Sequence, residues 1–266
     1  IGYGTKIGLA PMHTWLPDAH SKAPAPISAL LSGVLLNVAL VTVLRYKIIT
    51  DAVVGDDFSG KLLIILGVCS VFIATFIIVT QKNYKRLLAY SSIENMGIMA
   101  LGFGFGGLGI FASILHMIYH ALIKSALFLS SGTIFLKYSS TKIAKIAGGI
   151  KALPITGIIF LAGFFAITGT PPFGIFLTKL YILSAGIKSH IYVSVVVMFL
   201  FAILFVGFFR HAMSMMFGEK PNDVEAGEIN AWLVIPPLAL VALALYLSVY
   251  PPEFITILLN NAAAQY

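Results

Sequence analysis

Three titratable side chains stand at intervals of four residues in an apolar stretch. His116, His120 and Lys124 are spaced i, i+4, i+8, which places them on one stripe of a helix, with a rise of about 6 Å per step. We call these three residues the histidine–lysine stripe. Histidine titrates near neutral pH, so the stripe can pass protons by way of water. The structural alternative is two histidines bonded to backbone carbonyls and a lysine paired with a carboxylate.

His-x3-His is also a spacing typical of metal sites. However, no third His, Cys or carboxylate stands nearby at ligand spacing. Zinc sites in proteins use three or four such ligands. We therefore predict no metal site in this chain.

Two further lysines, Lys6 and Lys179, lie in otherwise apolar stretches. A lysine at mid-membrane costs about 2.5 to 3.5 kcal/mol on translocon-insertion scales, so an intramembrane lysine indicates a function. The alternative is that the long side chain carries its ammonium group out to the lipid headgroups. We predict that Lys6, Lys124 and Lys179 take part in moving an ion.

Prolines interrupt two of the apolar segments. Residues 168–174 must break their helix, because Pro171 and Pro172 each remove a hydrogen-bond donor and clash with the preceding turn. Broken backbone at membrane depth is tolerated only against protein or a water-filled cavity, and it indicates an ion path. A proline kink without function is the alternative. The start of the chain repeats this pattern, with predicted helix breaks at Pro11 and Pro17 and with polar groups at Asp18 and His20.

One acidic residue, Glu94, is predicted to lie about two turns inside a span that basic residues introduce. We expect its carboxylate to tune the histidine–lysine stripe or to receive protons from the cytoplasmic side. The alternative is an ion pair with a loop lysine near the membrane interface.

The composition indicates an integral membrane protein. Of 266 residues, 59% are hydrophobic and 10% are charged, with a mean hydropathy of +0.98, whereas soluble proteins carry about 25% charged residues. The net charge of +7 is expected in loops beside lipid headgroups, so nucleic acid is not an expected partner. The single cysteine, Cys69, excludes an intrachain disulfide and a Cys-ligated iron–sulfur or zinc site built from this chain alone.

Apolar runs long enough to cross a bilayer recur along the chain, since about 20 helical residues span a hydrocarbon core of about 30 Å. We predict a single transmembrane domain over residues 1–266, with a partial helix over residues 1–20 and about seven spans. These spans lie near residues 23–45, 62–81, 86–106, 110–136, 153–187, 190–210 and 229–250. The first residue is Ile1, and the start lacks a signal-peptide pattern, so we expect the sequence to begin part-way through a longer protein.

Lysine and arginine are distributed unevenly between the predicted loops. Counted over alternating loops, ten lie on one side of the membrane and four on the other. Cytoplasmic loops are enriched in these residues, so the C-terminus is predicted to lie outside. We expect a multi-pass protein of the cytoplasmic membrane in preference to the mitochondrial inner membrane.

Four sequence blocks are similar to the antiporter-like, ion-translocating subunits of respiratory complex I. That family also includes subunits of membrane-bound hydrogenases and of multisubunit Na+/H+ antiporters. The blocks are residues 6–20, 85–93, 116–129 and 172–179, which read KIGLAPMHTWLPDAH, KRLLAYSSI, HMIYHALIKSALFL and PFGIFLTK. The variant SSIEN at residues 91–95 resembles the hydrogenase branch.

The resemblance implies an all-α integral membrane fold in which this chain is the second half of an inverted-repeat helix bundle with discontinuous helices. It implies that Lys6 is a proton site on the first broken helix, that the histidine–lysine stripe is a relay, and that Lys179 is the terminal lysine on the second broken helix. Asn37 stands where many relatives have a lysine, and Ser32 where others have a histidine. The link from Lys6 is therefore expected to run through water or a different side chain.

The resemblance also implies a proton-translocating subunit of a redox-driven complex of the membrane-bound hydrogenase or NADH dehydrogenase type. Its expected partners are other membrane subunits and a peripheral redox arm, and iron–sulfur and nickel–iron or flavin centres are expected only in those partners. Two alternatives stay open: a Na+/H+ antiporter module and a non-transporting scaffold subunit. The spans offer only Glu94 as a carboxylate for Na+, which favours H+.

Overall fold

The structure is a computed structural model that describes residues 2–266, apart from the side chains of Asp56 and Asp57. Ile1, where the predicted partial helix begins, lies outside this described part. Thirteen α-helices and no β-strand form between residues 2 and 266. In chain order the helices are α1 (Gly2–Ile7), α2 (Trp15–Lys22), α3 (Ala25–Leu30), α4 (Leu36–Val54), α5 (Asp56–Thr80), α6 (Tyr84–Phe105), α7 (Leu108–Tyr138), α8 (Gly149–Ala152), α9 (Pro154–Thr168), α10 (Gly174–Ser189), α11 (Ile191–Met216), α12 (Ala231–Val249) and α13 (Glu253–Ala263).

In the part of the chain that the structure describes, five helical segments are long and apolar enough to cross a membrane. They are Ala25–Val54, Phe58–Thr80, Leu108–Tyr138, Ile191–Met216 and Ala231–Val249. The first of these combines α3 and α4 through a π-helical turn at Leu31–Leu35. The chain is thus an all-α, multi-pass membrane protein. The predicted count of seven spans requires that α6 and the pair α9 and α10 also cross, and it stays a prediction.

The second predicted helix break lies between α9 and α10, two helices of only 15 and 16 residues. Pro171 and Pro172 stand in this interruption. Gly169 ends α9 with a φ of +86°, a left-handed conformation that glycine adopts without steric strain. A Cβ atom on Gly169 would also stand 3.0 Å from Cδ of Lys179. The interruption thus brings the end of one short helix against a side chain of the next.

The first predicted helix break covers fewer residues than the sequence suggested, since it includes Pro11 but not Pro17. Residues 8–14, which include Pro11, separate α1 from α2, and the Trp15 indole nitrogen donates across them to the Thr5 carbonyl at 2.6 Å. Pro17 lies inside α2, so its assignment as a helix break is wrong. The physical reason is its place in the first turn, where a backbone N–H has no intrahelical acceptor and proline removes nothing.

Helix α6 is the centre of the bundle. Every residue from Leu87 to Phe103 is buried, and α6 packs against α2, α5, α7 and α10. Glycines allow the closest approach, since a Cβ atom on Gly97 would lie 2.8 Å from the Ser70 Cβ on α5. A membrane helix enclosed by protein on all sides directs its polar side chains at other helices and not at lipid.

The C-terminal helix α13 follows the last predicted span and has no counterpart among the predicted elements. Phe254, Ile257 and Leu258 are exposed on it. Its neighbour Tyr266 packs edge-on against the Phe103 ring of α6, with centroids 6.4 Å apart. The chain therefore returns to the central helix after its last apolar span.

Candidate functional site

Helix α7 carries the histidine–lysine stripe into the interior of the bundle, where all three side chains are fully buried. Neither histidine bonds to a backbone carbonyl of the described residues: His116 contacts two side chains, and the His120 ring has no hydrogen-bond partner among them. The Lys124 ammonium donates to the Leu88 carbonyl and to the Ser91 hydroxyl of α6. Among the described residues, no carboxylate pairs with Lys124. The structural alternative for this stripe required two histidines bonded to backbone carbonyls and a lysine paired with a carboxylate. The described contacts show neither feature.

The second buried lysine has a counter-ion. The Lys179 ammonium on α10 lies 2.9 Å from Oε1 of Glu94 on α6, with both side chains almost fully buried. The alternative that Glu94 pairs with a loop lysine at the interface is wrong, because α6 turns this carboxylate inward toward the broken helix. Lys179 also donates to the carbonyls of Ile167 and Thr168, at 3.4 and 3.2 Å. These carbonyls end α9, where the helix dipole presents partial negative charge.

Asn95 connects the stripe to this ion pair. Its amide nitrogen donates to the Ser91 carbonyl at 2.7 Å and to the Glu94 carboxylate. Its amide oxygen, which can only accept, lies 2.9 Å from Nε2 of His116. Nε2 of His116 is therefore the nitrogen that carries a proton in the neutral imidazole. The Asn95 amide thus contacts His116, Glu94 and the backbone of Ser91. Through Glu94 it adjoins the ion pair with Lys179, and through Ser91 it adjoins Lys124.

Thr178 completes the surroundings of His116. Its hydroxyl lies 2.8 Å from Nδ1 of His116 and 3.2 and 3.0 Å from the carbonyls of Gly174 and Ile175. When His116 is neutral, the hydroxyl can donate to Nδ1. When Nδ1 is protonated, the hydroxyl can accept from it and donate to a carbonyl instead. The site therefore accommodates both charge states of His116 by rotation of one hydroxyl group.

His120 and His20 are buried histidines whose ring nitrogens have no hydrogen-bond partner among the described residues. The His20 ring stacks on Phe128 with centroids 4.6 Å apart, and the Lys124 ammonium lies 5.9 Å from the same ring. Phe128 follows Lys124 by one helical turn, so His20 lies beside the Lys124 end of the stripe. Buried polar atoms without a protein partner are the places where ordered water is expected.

Most of the other predicted site residues lie outside this cluster, but Ser32 reaches it through Ser92, which donates to the same Leu88 carbonyl as Lys124. Lys6 is exposed on α1, so the chain does not bring it into the buried network. Asp18 pairs at the surface with Arg86 at 2.6 Å. Ser32 lies in the π-helical turn, and its hydroxyl contacts that of Ser92 at 2.8 Å. Asn37 donates to the Met117 carbonyl at 3.1 Å, which joins α4 to α7.

Among the residues of the network that sequence reasoning missed are Asn95 and Thr178. Both are uncharged, so neither disturbs the hydropathy of its span. A usable signal was nevertheless present, because each directly adjoins a buried charge, Glu94 or Lys179. Among the described side chains, no three of the His, Cys, Asp or Glu type converge on a point that could hold a metal ion. The prediction that this chain has no metal site remains untested.

A membrane bundle with lysines buried beside a discontinuous helix has the architecture of an antiporter-like membrane subunit. Comparison with known families gives the same class. Residues 1–205 match the family described as NADH:quinone oxidoreductase/Mrp antiporter, transmembrane, and the chain belongs to this family.

Curated relatives with similar sequences include subunits of several complexes. The chain is 47% identical over 187 residues to a hydrogenase-4 component F homolog from Methylacidiphilum infernorum, a match that covers 70% of this chain and 39% of that protein. It is 33% identical over 184 residues to formate hydrogenlyase subunit 3 of Escherichia coli, covering 65% of this chain and 30% of that subunit. The chain therefore spans well under half the length of these relatives.

Solved structures show the same fold. A chain of the membrane-bound sulfane sulfur reductase, an archaeal respiratory membrane complex, superposes with a TM-score of 0.89 at 30% identity, over 99% of this chain and 54% of that one. A chain of the Mrp complex from Dietzia superposes with a TM-score of 0.86 at 21% identity, over 98% of this chain and 56% of that one. Both solved chains extend well beyond the part that this chain covers.

Proposed function

We propose that this chain translocates protons across the membrane as the antiporter-like subunit of a larger, redox-driven complex. The observation that carries the proposal is a count of buried charges. Two lysines, Lys124 and Lys179, lie buried close to one carboxylate, Glu94, and only Lys179 pairs with it. Of these two lysines, Lys124 is therefore the one that can take up and release a proton without breaking an ion pair.

The contacts around Lys124 supply a route for that proton. Ser91 accepts from Lys124 through its hydroxyl and from Asn95 through its carbonyl, and Asn95 also contacts His116 and Glu94, so these groups lie close together. His120 lies one turn from Lys124 and one turn from His116, and it has two ring nitrogens free for water. We propose that protons move along the histidine–lysine stripe and leave through Lys179 at the broken helix.

Energy is needed because a charge that crosses against the membrane potential costs about 2.3 kcal/mol per 100 mV. We propose that an electrostatic change in a neighbouring subunit supplies this energy by altering which of the buried groups is protonated. Lys6, which is exposed on this chain, is the group placed to receive such a change from outside. The histidine–lysine stripe then responds to the change at Lys6 through water, or through side chains other than those in the hydrogen bonds given above.

The buried carboxylate favours protons over sodium as the transported ion. Among the side chains that the structure describes, Glu94 is the only carboxylate that is buried. Its two oxygens accept hydrogen bonds from Lys179 and from Asn95. A Na+ ion would have to displace these donors, whereas a proton can move through the same hydrogen bonds.

We place the protein in the cytoplasmic membrane, with its C-terminus outside. Its proposed partners are other membrane subunits and a peripheral redox arm of the membrane-bound hydrogenase or NADH dehydrogenase type. The similar proteins include a subunit of formate hydrogenlyase and a chain of a respiratory membrane complex, which supports other membrane subunits as partners. Iron–sulfur and nickel–iron or flavin centres are proposed for partner subunits, since this chain supplies a single cysteine.

The proposal is tested with the whole complex reconstituted in proteoliposomes, where proton uptake per electron is measured in sodium-free buffer. Lys179→Ala is expected to abolish most proton uptake while electron flow continues. Lys188→Ala, which removes an exposed lysine from the same helix, is the matched control and should leave proton uptake unchanged. If the native complex moves sodium in place of protons, or if Lys179→Ala transports normally, the proposal is wrong.

A further inference from the structure

Apart from the buried network, the bundle has a large cavity where the ends of five helices meet. Its volume is about 660 Å³. It lies between the end of α2, the start of α3, the start of α6, the end of α7 and the start of α12. Because these helix ends converge, the cavity lies at the border of the apolar spans and not at their centre.

A buried cation without a counter-ion faces this cavity. Lys85 is 6% exposed and lines the wall. Its ammonium lies 5.2 Å from the centre of the Phe135 ring and donates weakly to the Ala23 carbonyl at 3.4 Å. Among the described residues, no carboxylate pairs with it. Because an unpaired buried charge is strongly unfavourable, an anion bound in the cavity would stabilise this ammonium.

A second cation stands at the rim of the same cavity. Lys22 is exposed at the end of α2 and lines the cavity beside Lys85. The remainder of the wall is almost entirely apolar and includes Leu129, Leu136 and Pro236. The cavity is therefore positively charged at one end and apolar elsewhere, which is the pattern that an anionic amphiphile requires.

The position of Trp232 places this cavity at the membrane interface. Trp232 lies in the first turn of α12, lines the cavity and is 76% exposed. Tryptophan is enriched where the hydrocarbon core meets the headgroups. Exposed Leu136 lies on the same wall, so the cavity is open to the outer surface of the bundle. Lipid acyl chains can thus enter it from the side.

We propose that this cavity is a binding site for an anionic phospholipid, whose phosphate is the counter-ion of Lys85. Lys22 provides the second contact to the headgroup, and the acyl chains lie along the apolar wall. A free phosphate ion would leave that wall empty, and a zwitterionic lipid would bring no net negative charge to balance Lys85 and Lys22. This site is separate from the Glu94–Lys179 pair and does not depend on proton transport.

The test measures the binding of phosphatidylglycerol to the whole complex, purified in detergent and reconstituted in phosphatidylcholine vesicles that contain phosphatidylglycerol. Native mass spectrometry counts the retained lipid, and a spin-labelled phosphatidylglycerol reports its affinity. Lys85→Gln is expected to weaken binding by roughly five-fold or more, from the attraction of one basic residue to an anionic headgroup. Lys85→Arg should retain binding, because it keeps the charge.

Lys82→Gln is the matched control, because Lys82 is exposed three residues earlier in the chain and does not line the cavity. It should bind phosphatidylglycerol as the native protein does. Leu129→Trp, which fills the apolar wall without changing charge, should also weaken binding. The proposal is overturned if Lys85→Gln binds normally, if phosphatidylcholine binds as tightly, if sodium phosphate displaces the labelled lipid, or if the assembled complex holds no lipid there.

Discussion

Lys179 and Glu94 form a buried ion pair, 2.9 Å between Nζ and Oε1, that joins the helix after the break to the central helix of the bundle. The pair forms because the interruption between α9 and α10 turns the Lys179 side chain back across Gly169. The same ammonium also bonds to the last carbonyls of α9. One side chain therefore holds together both halves of the broken helix and α6.

Removal of the carboxylate from this pair should destabilise the protein strongly. Glu94→Gln leaves the buried Lys179 ammonium without an anion, which is expected to cost about 3 kcal/mol or more. In a protein of this size, that loss corresponds to a fall in melting temperature of roughly 6 to 12 °C. Thermal unfolding in detergent measures it. Asp18→Asn, which breaks the exposed pair with Arg86, is the control and should cost at most about 1 kcal/mol; equal shifts for the two variants would contradict the assignment.

Thr178 should be required for transport through its hydroxyl group alone. Thr178→Val keeps the shape of the side chain but leaves Nδ1 of His116 without a partner that can both donate and accept. Loss of a hydrogen bond to a group that carries charge is worth about 1.5 kcal/mol or more, so proton uptake should fall by roughly ten-fold. Thr178→Ser should transport nearly as the native protein does. A Thr178→Val complex with native proton uptake per electron would show that the hydroxyl has no part in the relay.

The two histidines of the stripe should respond differently to the same substitution. His120→Leu removes a buried imidazole that has no protein partner, so the free energy of unfolding should stay the same or rise. His116→Leu leaves the buried amide oxygen of Asn95 without its hydrogen-bond donor, so it should lower that free energy by about 1 to 3 kcal/mol. Both variants should lose proton uptake. A destabilised His120→Leu variant with intact transport would mean that His120 is a structural residue.

The stripe on α7 was predictable because its information is local. A spacing of four residues places His116, His120 and Lys124 on one helix face whatever surrounds that helix. The interruption at Pro171 and Pro172 was predictable for the same reason, since proline acts on its own helix. Pro17 shows the limit of this reasoning. Its effect depends on where the helix begins, and helix ends are the least certain feature of a sequence-based assignment.

The pairing of Glu94 was not predictable, because it depends on how α6 rotates against α10. The sequence places Glu94 near basic residues at the start of α6, but the glycines that pack α5 against α6 fix the orientation of the carboxylate. Asn95 and Thr178 were not identified from the sequence for a related reason. An uncharged polar residue in a span becomes informative only when its partner on another helix is known.

The measurement that tests the central claim most directly is proton uptake per electron by the whole complex carrying Lys124→Ala, with electron flow monitored separately. Lys145→Ala, which removes an exposed lysine from the segment after α7, serves as the control. The account predicts that Lys124→Ala assembles and transfers electrons but takes up few or no protons, whereas the control pumps normally. If Lys124→Ala pumps as many protons per electron as the native complex, Lys124 is not on the proton path, and the proposed function is contradicted.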